Sequence, residues 1–193
     1  MPDPLLHIRT ADARDHDLLA RLGARTFRET FASDNTPEDM SDYLAKAFGP
    51  DRQAAELADP GTTFLIAEST GETVGYARLK LGPAPDCIQG LHSVEIARLY
   101  SVAAWIGRGV GAALMRACLE RAGRLMCDVV WLDVWEKNPR AIAFYRRWGF
   151  AEVGTQDFVL GTDVQHDLLM QKRVDPEAVG PSRPPSPQAD DGD

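Results

Sequence analysis

Three glycines alternate with other residues in the run Ile106-Gly107-Arg108-Gly109-Val110-Gly111-Ala112. The run lies between Val94–Val102, which reads as a strand, and a segment whose apolar positions Val110, Ala113, Leu114, Ala117 and Cys118 fall at helical spacing. Closely spaced glycines let backbone N–H groups approach a phosphate, and a helix N-terminus adds positive potential there. The loop is therefore a candidate anion site or, without a ligand, a turn that needs unusual dihedrals. A Walker A loop would end in Gly-Lys-Ser/Thr, whereas Gly111-Ala112-Ala113 stands here, which argues against ATP or GTP hydrolysis. A dinucleotide fingerprint is a nearer rival, because Gly107, Gly109 and Ala112 fit its spacing and Asp133 lies where a ribose-binding acid belongs. Against it, only one more helix and two hairpin-like strands follow, not a series of parallel units.

Two further groups could do proton chemistry. Asn138 to Phe150 reads as a helix with Asn138 as its cap and Gly149 at its end. Ala141, Phe144, Tyr145 and Trp148 share one face of it, so Tyr145 is either a core aromatic or a hydroxyl presented to a site. Glu95 shares strand phase with Ala97 and Leu99, an apolar face on which an acid needs explaining, unless it is an edge-strand surface acid.

The elements that must hold these groups follow from the pattern. Residues 5–10 read as a strand and Asp12 opens a helical stretch with Leu18, Leu19, Leu22, Phe27 and Phe31 on one side. Thr36-Pro37-Glu38-Asp39 is a helix start, and Gly49-Pro50 stops that helix. A short helical piece spans about 51–58. Thr62–Ser69 and Thr73–Leu81 are two strands around Thr70-Gly71-Glu72, followed by a Gly- and Pro-containing loop from Gly82 to Gly90. Asp128–Trp135 is a strand, Pro139–Trp148 a helix, and Phe150–Leu160 and Val164–Lys172 a closing hairpin. Hairpins flanking one strand–helix–strand unit predict an α/β domain with a mixed, mostly antiparallel sheet and helices on both faces.

Composition narrows the function. The chain has 193 residues, a length suited to one domain, with 44% hydrophobic and 26% charged residues. A formal charge of −8 argues against nucleic-acid binding. No apolar run is long enough to span a bilayer, and no basic segment followed by an apolar one opens the chain, so a cytoplasmic protein without membrane contact is expected. Cys87, Cys118 and Cys127 have no metal-ligand spacing, so thiols and no metal are expected. Residues 174–193 hold five acids against Arg183, with five prolines, and read as a disordered acidic tail behind a domain at 1–173.

Taken together, the glycine loop and the Asn138…Tyr145-Arg-Arg-Trp-Gly149-Phe150 helix resemble the N-acetyltransferases of the GNAT superfamily, over nearly all of residues 5–173. The resemblance is closer still to the PaiA-like polyamine acetyltransferases, in Thr26–Phe31, Asn35–Met40, Glu95–Tyr100, Trp131–Asn138 and Gln165–Met170. It implies acetyl-CoA as cosubstrate, held by Val102, Gly107, Arg108, Gly109, Val110, Gly111, Ala112 and Asn138. Ile106 stands where the family usually has Gln or Arg, which leaves the pyrophosphate to backbone N–H groups. It further implies direct attack by a primary amine in a ternary complex, Glu95 helping to deprotonate it and Tyr145 protonating the departing thiolate. The implied partner is a small-molecule amine, a polyamine such as spermidine or spermine, and homodimerisation stays open. Spaced acids should bind such a polycation, and Glu29, Asp34, Glu38, Asp39, Asp42, Asp133, Asp157 and Asp167 are the candidates. The alternatives are another amine (a protein N-terminus, an amino acid, an aminoglycoside) or a non-catalytic sensor of coenzyme A.

Overall fold

In the computed structural model the described residues are 6–161 and 163–175; the expected acidic tail lies outside them from residue 176 onward. The elements are β1 (Leu6–Thr10), α1 (His16–Phe31), α2 (Pro37–Phe48), α3 (Pro50–Ala58), β2 (Thr62–Ser69), β3 (Glu72–Leu81), β4 (Ser93–Ser101), α4 (Val110–Arg124), β5 (Val129–Trp135), α5 (Pro139–Arg147), β6 (Ala151–Leu160) and β7 (Asp163–Arg173). They form one sheet of seven strands in the order β1-β2-β3-β4-β5-β7-β6. Only β4 and β5 run parallel; every other neighbouring pair is antiparallel. That topology removes the dinucleotide reading, which needs a series of parallel units.

Local chemistry sets the boundaries. Thr36 Oγ1 accepts from the Asp39 N–H at 3.1 Å with Pro37 at the first helical position, so α2 starts where hydroxyl and proline dictate. The β2–β3 turn is the pair Thr70-Gly71, both with positive φ (49° and 82°), and β3 begins at Glu72. Helices cover both faces. Arg78 of β3 bonds Glu56 of α3, whereas a Cβ on Gly75, three residues back and so on the opposite face, would point at Val110 of α4. Thus α1–α3 lie on one side and α4 on the other, and α5 meets α4 where Phe144 faces Gly111.

Two features of β4 open the sheet. Arg78 pairs with Arg98 and Leu79 with Ile96, so Ala97 is an extra residue, a β-bulge that bends the strand. The parallel pairing with β5 covers only Ser93–Glu95 against Val129–Trp131 and then stops. Beyond it, residues 96–101 stay paired with β3 while residues 132–135 stay paired with β7, leaving a wedge between the two strands.

Beneath α3 a buried ion cluster fixes that geometry. The Glu56 carboxylate, 4% exposed, accepts from Arg52 Nε (2.9 Å), Arg78 Nη1 (2.9 Å) and Arg98 Nη1 (2.8 Å). The Arg98 guanidinium also lies 4.8 Å from the Phe48 ring centre. An amide in place of the Glu56 carboxylate would lose the negative charge and turn one acceptor oxygen into a donor facing Arg78 and Arg98. Glu56→Gln should therefore lower unfolding free energy by about 3–5 kcal/mol, read as a fall in the urea midpoint at unchanged slope; a shift under about 1 kcal/mol would show the arginines resolvating freely.

Candidate active site

The wedge between β4 and β5 continues into a cavity of about 500 Å³. One wall is the glycine loop. Gly107 and Gly109 take positive φ (79° and 85°), Gly109 as the N-cap of α4, and there an L side chain would be strained. Gly111 has ordinary φ, and a Cβ on it would only touch Phe144 at 3.6 Å, so it is a matter of space and not of dihedral. The α4 ladder begins with the Ala113 N–H donating to the Gly109 carbonyl at 2.9 Å, which leaves the N–H groups of Gly109, Val110, Gly111 and Ala112 without intrahelical acceptors. Gly107, Gly109, Gly111 and Ala112 all line the cavity, as does Ile106. A cradle of unspent donors at a 15-residue helix fits a pyrophosphate.

The other expected residues divide. Asn138 caps α5, its Oδ1 accepting from the Ala141 N–H at 3.1 Å, and also lines the cavity. Tyr145 lines it too, 8% exposed, with its ring edge-on to Phe144 and Phe150. Burial, then the charge of Asp133 and Cys118, pushes its phenol well above the ordinary value, so it holds its proton. Val102, Arg108 and Val110 are not on the cavity wall. Val102 is buried and spends its N–H on the Val74 carbonyl (3.0 Å), so it has no backbone donor to offer a cosubstrate. Arg108 is exposed and sits 5.6 Å from the Trp105 ring centre, and the Val110 side chain is in the core.

Glu95 is also off the wall. It is half-buried on β4 opposite Trp131, and its carboxyl is raised by burial and then by Asp133. The carboxylates that do line the cavity are Asp133 and Asp167. Asp133 accepts from Gln156 Nε2 at 2.9 Å, and burial raises its carboxyl. Asp167 is 7% exposed, its Oδ1 buried without a hydrogen-bond partner among the described residues. Its pKa is pushed up to about 6 by burial, then by Asp133 and Glu136. Asp167 occupies the same strand phase as Leu169, the same signal that singles out Glu95 in the sequence. Around these acids stand Tyr43, Phe158, Phe27, Phe31, Tyr100 and Trp135, with Tyr43 stacked on Phe27 at 4.6 Å between ring centres. The α1–α2 connection and the start of α2 meet the closing hairpin: Gln165 Nε2 donates to Asn35 Oδ1 (3.0 Å), and a side chain on Gly161 would collide with Asp39.

Fold and site define an α/β domain with a glycine loop and helix N-terminus at one end of its cavity and the carboxylates of Asp133 and Asp167 at the other. Residues 24–150 match the acetyltransferase (GNAT) family, and the chain belongs to that family and is an N-acetyltransferase. It is 35% identical over 153 residues, 79% of this chain and 88% of the relative, to an uncharacterized N-acetyltransferase of Lactobacillus delbrueckii subsp. lactis. Over 100 residues, 51% of this chain and 58% of the relative, it is 37% identical to the N-alpha-acetyltransferase RimI of Mycobacterium tuberculosis. Over 89 residues, 46% and 59% respectively, it is 30% identical to the spermine/spermidine N(1)-acetyltransferase of Bacillus subtilis. Among solved structures, the PaiA N-acetyltransferase of Thermoplasma acidophilum in complex with coenzyme A superposes with a TM-score of 0.71 at 18% identity, over 88% of this chain and 99% of that one, a likeness of fold.

The raised carboxyl of Asp167 has a stability consequence of definite sign. With a folded pKa near 6 and an ordinary value of 3.8, the folded chain keeps a proton that the unfolded chain releases, so stability falls as pH rises from about 4 to about 6. Asp167→Asn should thus be more stable than the unmodified chain by about 1–2 kcal/mol at pH 7.5 and no more stable at pH 4, measured by urea unfolding at both values. A variant less stable at pH 7.5 would mean that the ionised carboxylate is welcome where it sits.

Proposed function

We propose that this N-acetyltransferase takes its acetyl group from acetyl-CoA and delivers it to a primary amine of a small polycation such as spermidine or spermine. The observation that carries the reading is one cavity with unspent helix N–H donors at one end and two carboxylates among aromatic rings at the other, Asp167 buried and Asp133 half-buried. Such acids without cationic partners suit an ammonium, and the surrounding rings suit both its charge and the methylenes beside it. The spermine/spermidine relative supports this acceptor; the RimI relative keeps a protein N-terminus as the competing one.

Acetyl-CoA supplies the acyl group as a thioester, already activated. The chain's own residues do the rest. The N–H groups of the wall residues Gly109, Gly111 and Ala112 and the α4 dipole hold the pyrophosphate, and Gly107 and Gly109 let the backbone come close. An amine of pKa near 10 arrives protonated at neutral pH, so an acid must take its proton before attack. Asp133 stands on the wall, and Glu95 lies two residues short of it in register on the neighbouring strand, so the proton passes to this pair, directly or through water. Tyr145, whose phenol carries its proton at neutral pH, gives that proton to the departing thiolate. Attack is direct, with both substrates bound together and no acyl group carried by the protein.

Tyr145→Phe keeps the ring and its packing and deletes only the hydroxyl, and with it the proton to be donated. Turnover should drop by roughly 10² with coenzyme A affinity unchanged by calorimetry. Near-normal turnover where chemistry limits the rate would make the hydroxyl structural. The acceptor itself is tested by a panel of amines with thiol release as the signal. Spermine and spermidine should lead it, and the KM of spermine should climb between low and high salt more than that of a monoamine, because its charges are screened. A peptide N-terminus or an uncharged-chain monoamine leading the panel would move the assignment to that acceptor.

A further inference from the structure

The proton chemistry above uses Asp133 and Glu95, which leaves the second cavity carboxylate without a task. Asp167 is costly where it stands. An acid 7% exposed normally finds donors, yet its Oδ1 has none among the described residues. The donors nearest in the sheet are committed elsewhere. Gln156, directly opposite Asp167 in the β6–β7 register, gives its Nε2 to Asp133. Gln165, two residues along β7 on the same face, gives its Nε2 to Asn35 Oδ1 at 3.0 Å and Asp163 Oδ2 at 2.9 Å. The cavity that Asp167 lines is therefore the direction from which a donor can come.

Its position relative to Asp133 is set by the sheet. Asp133 pairs with Leu169 across β5 and β7, so Asp167 is its diagonal neighbour on the same face, with Cβ atoms about 7 Å apart for such a pair. Tyr43 and Phe158 line the cavity with them, edge to face at 5.6 Å between ring centres. Two carboxylates at that separation beside apolar ring faces match two ammonium groups joined by a short alkane spacer. One ammonium reaches the acid at the reacting end, the methylenes lie along the rings, and the other ammonium brings the N–H donors that Asp167 lacks.

We propose that Asp167 is the seat of the acceptor's second ammonium group, and so the residue that makes the enzyme prefer a diamine unit over a monoamine. This rests on the polyamine reading above and assigns the specificity to one side chain. No bond forms or breaks at Asp167; its part is an ion pair made on binding.

Binding without turnover separates this claim from that reading. The chain saturated with coenzyme A is titrated calorimetrically with putrescine and with n-butylamine, which shares its carbon chain but has one amine. Putrescine should bind at least tenfold more tightly. In Asp167→Asn the ratio should fall close to one, and Asp167→Ser, smaller and uncharged, should do the same if the amide variant fails to fold. An unchanged ratio in either folded variant overturns the proposal, as does an equal weakening of both amines, which would put Asp167 on the reacting nitrogen. If putrescine is preferred through Asp167 while no polyamine is acetylated, the seat stands and the proposed acceptor falls. If spermidine is acetylated and the ratio ignores Asp167, the acceptor stands and the seat falls.

Discussion

Everything at this site depends on the early end of one strand pairing. β4 and β5 share three residue pairs and then part, each keeping its other neighbour. Parallel strands that stayed paired would bury both faces under helices and leave no room between them. The bulge at Ala97 turns β4 aside at the point where the pairing ends, and the opened wedge lets the two sides of the sheet communicate. Through it, the N-terminus of α4 on one side and the acids of β5 and β7 on the other come to line the same cavity. Neither set alone would bring an activated acyl group and an amine together.

Two buried carboxylates show how differently the fold treats the same chemical group. Glu56 is surrounded by three arginines and a glutamine that bonds one of them, and its role is to tie α3 to β3 and β4. Asp167 is nearly as buried, yet the amides beside it serve other acceptors. The first contributes to folding because its partners are built in. The second opposes folding above its pKa because its Oδ1 is buried with no built-in donor among the described residues. Such a cost persists at sites that must bind, since a carboxylate already satisfied by its own chain would have little to gain from a ligand.

The sequence made much of the frame legible. The caps at Thr36 and Asn138, the glycine loop before α4 and the hairpin turns were readable because each rests on interactions within a few residues. Mixed pairing and helices on both faces followed from the order of those elements. The acids of the site were harder. Asp133 and Asp167 were visible as residues, but their meeting depends on the β5–β7 register and on where β4 leaves β5, both long-range. For the same reason strand phase singles out Glu95 by the face its side chain takes and says nothing of whether the wedge reaches it. Val102 shows the converse, since a residue next to a functional loop can have its backbone donor taken by a strand far back in the chain, here at Val74.

The grip of Gln165 on Asn35 spans 130 positions, and Asp167 lies two residues beyond Gln165. A chain emerging from its N-terminus can form α1, α2 and the β2–β3 hairpin early, since their contacts are close in sequence. The tie between the α1–α2 connection and β7 cannot form until the final hairpin has been made and docked. β7 must also insert between β5 and β6, which precede it in the chain, so the sheet is completed from within. Synthesis thus delivers the glycine loop first and the Asp167 carboxylate last, and a product lacking the final strand would lack that wall of the cavity.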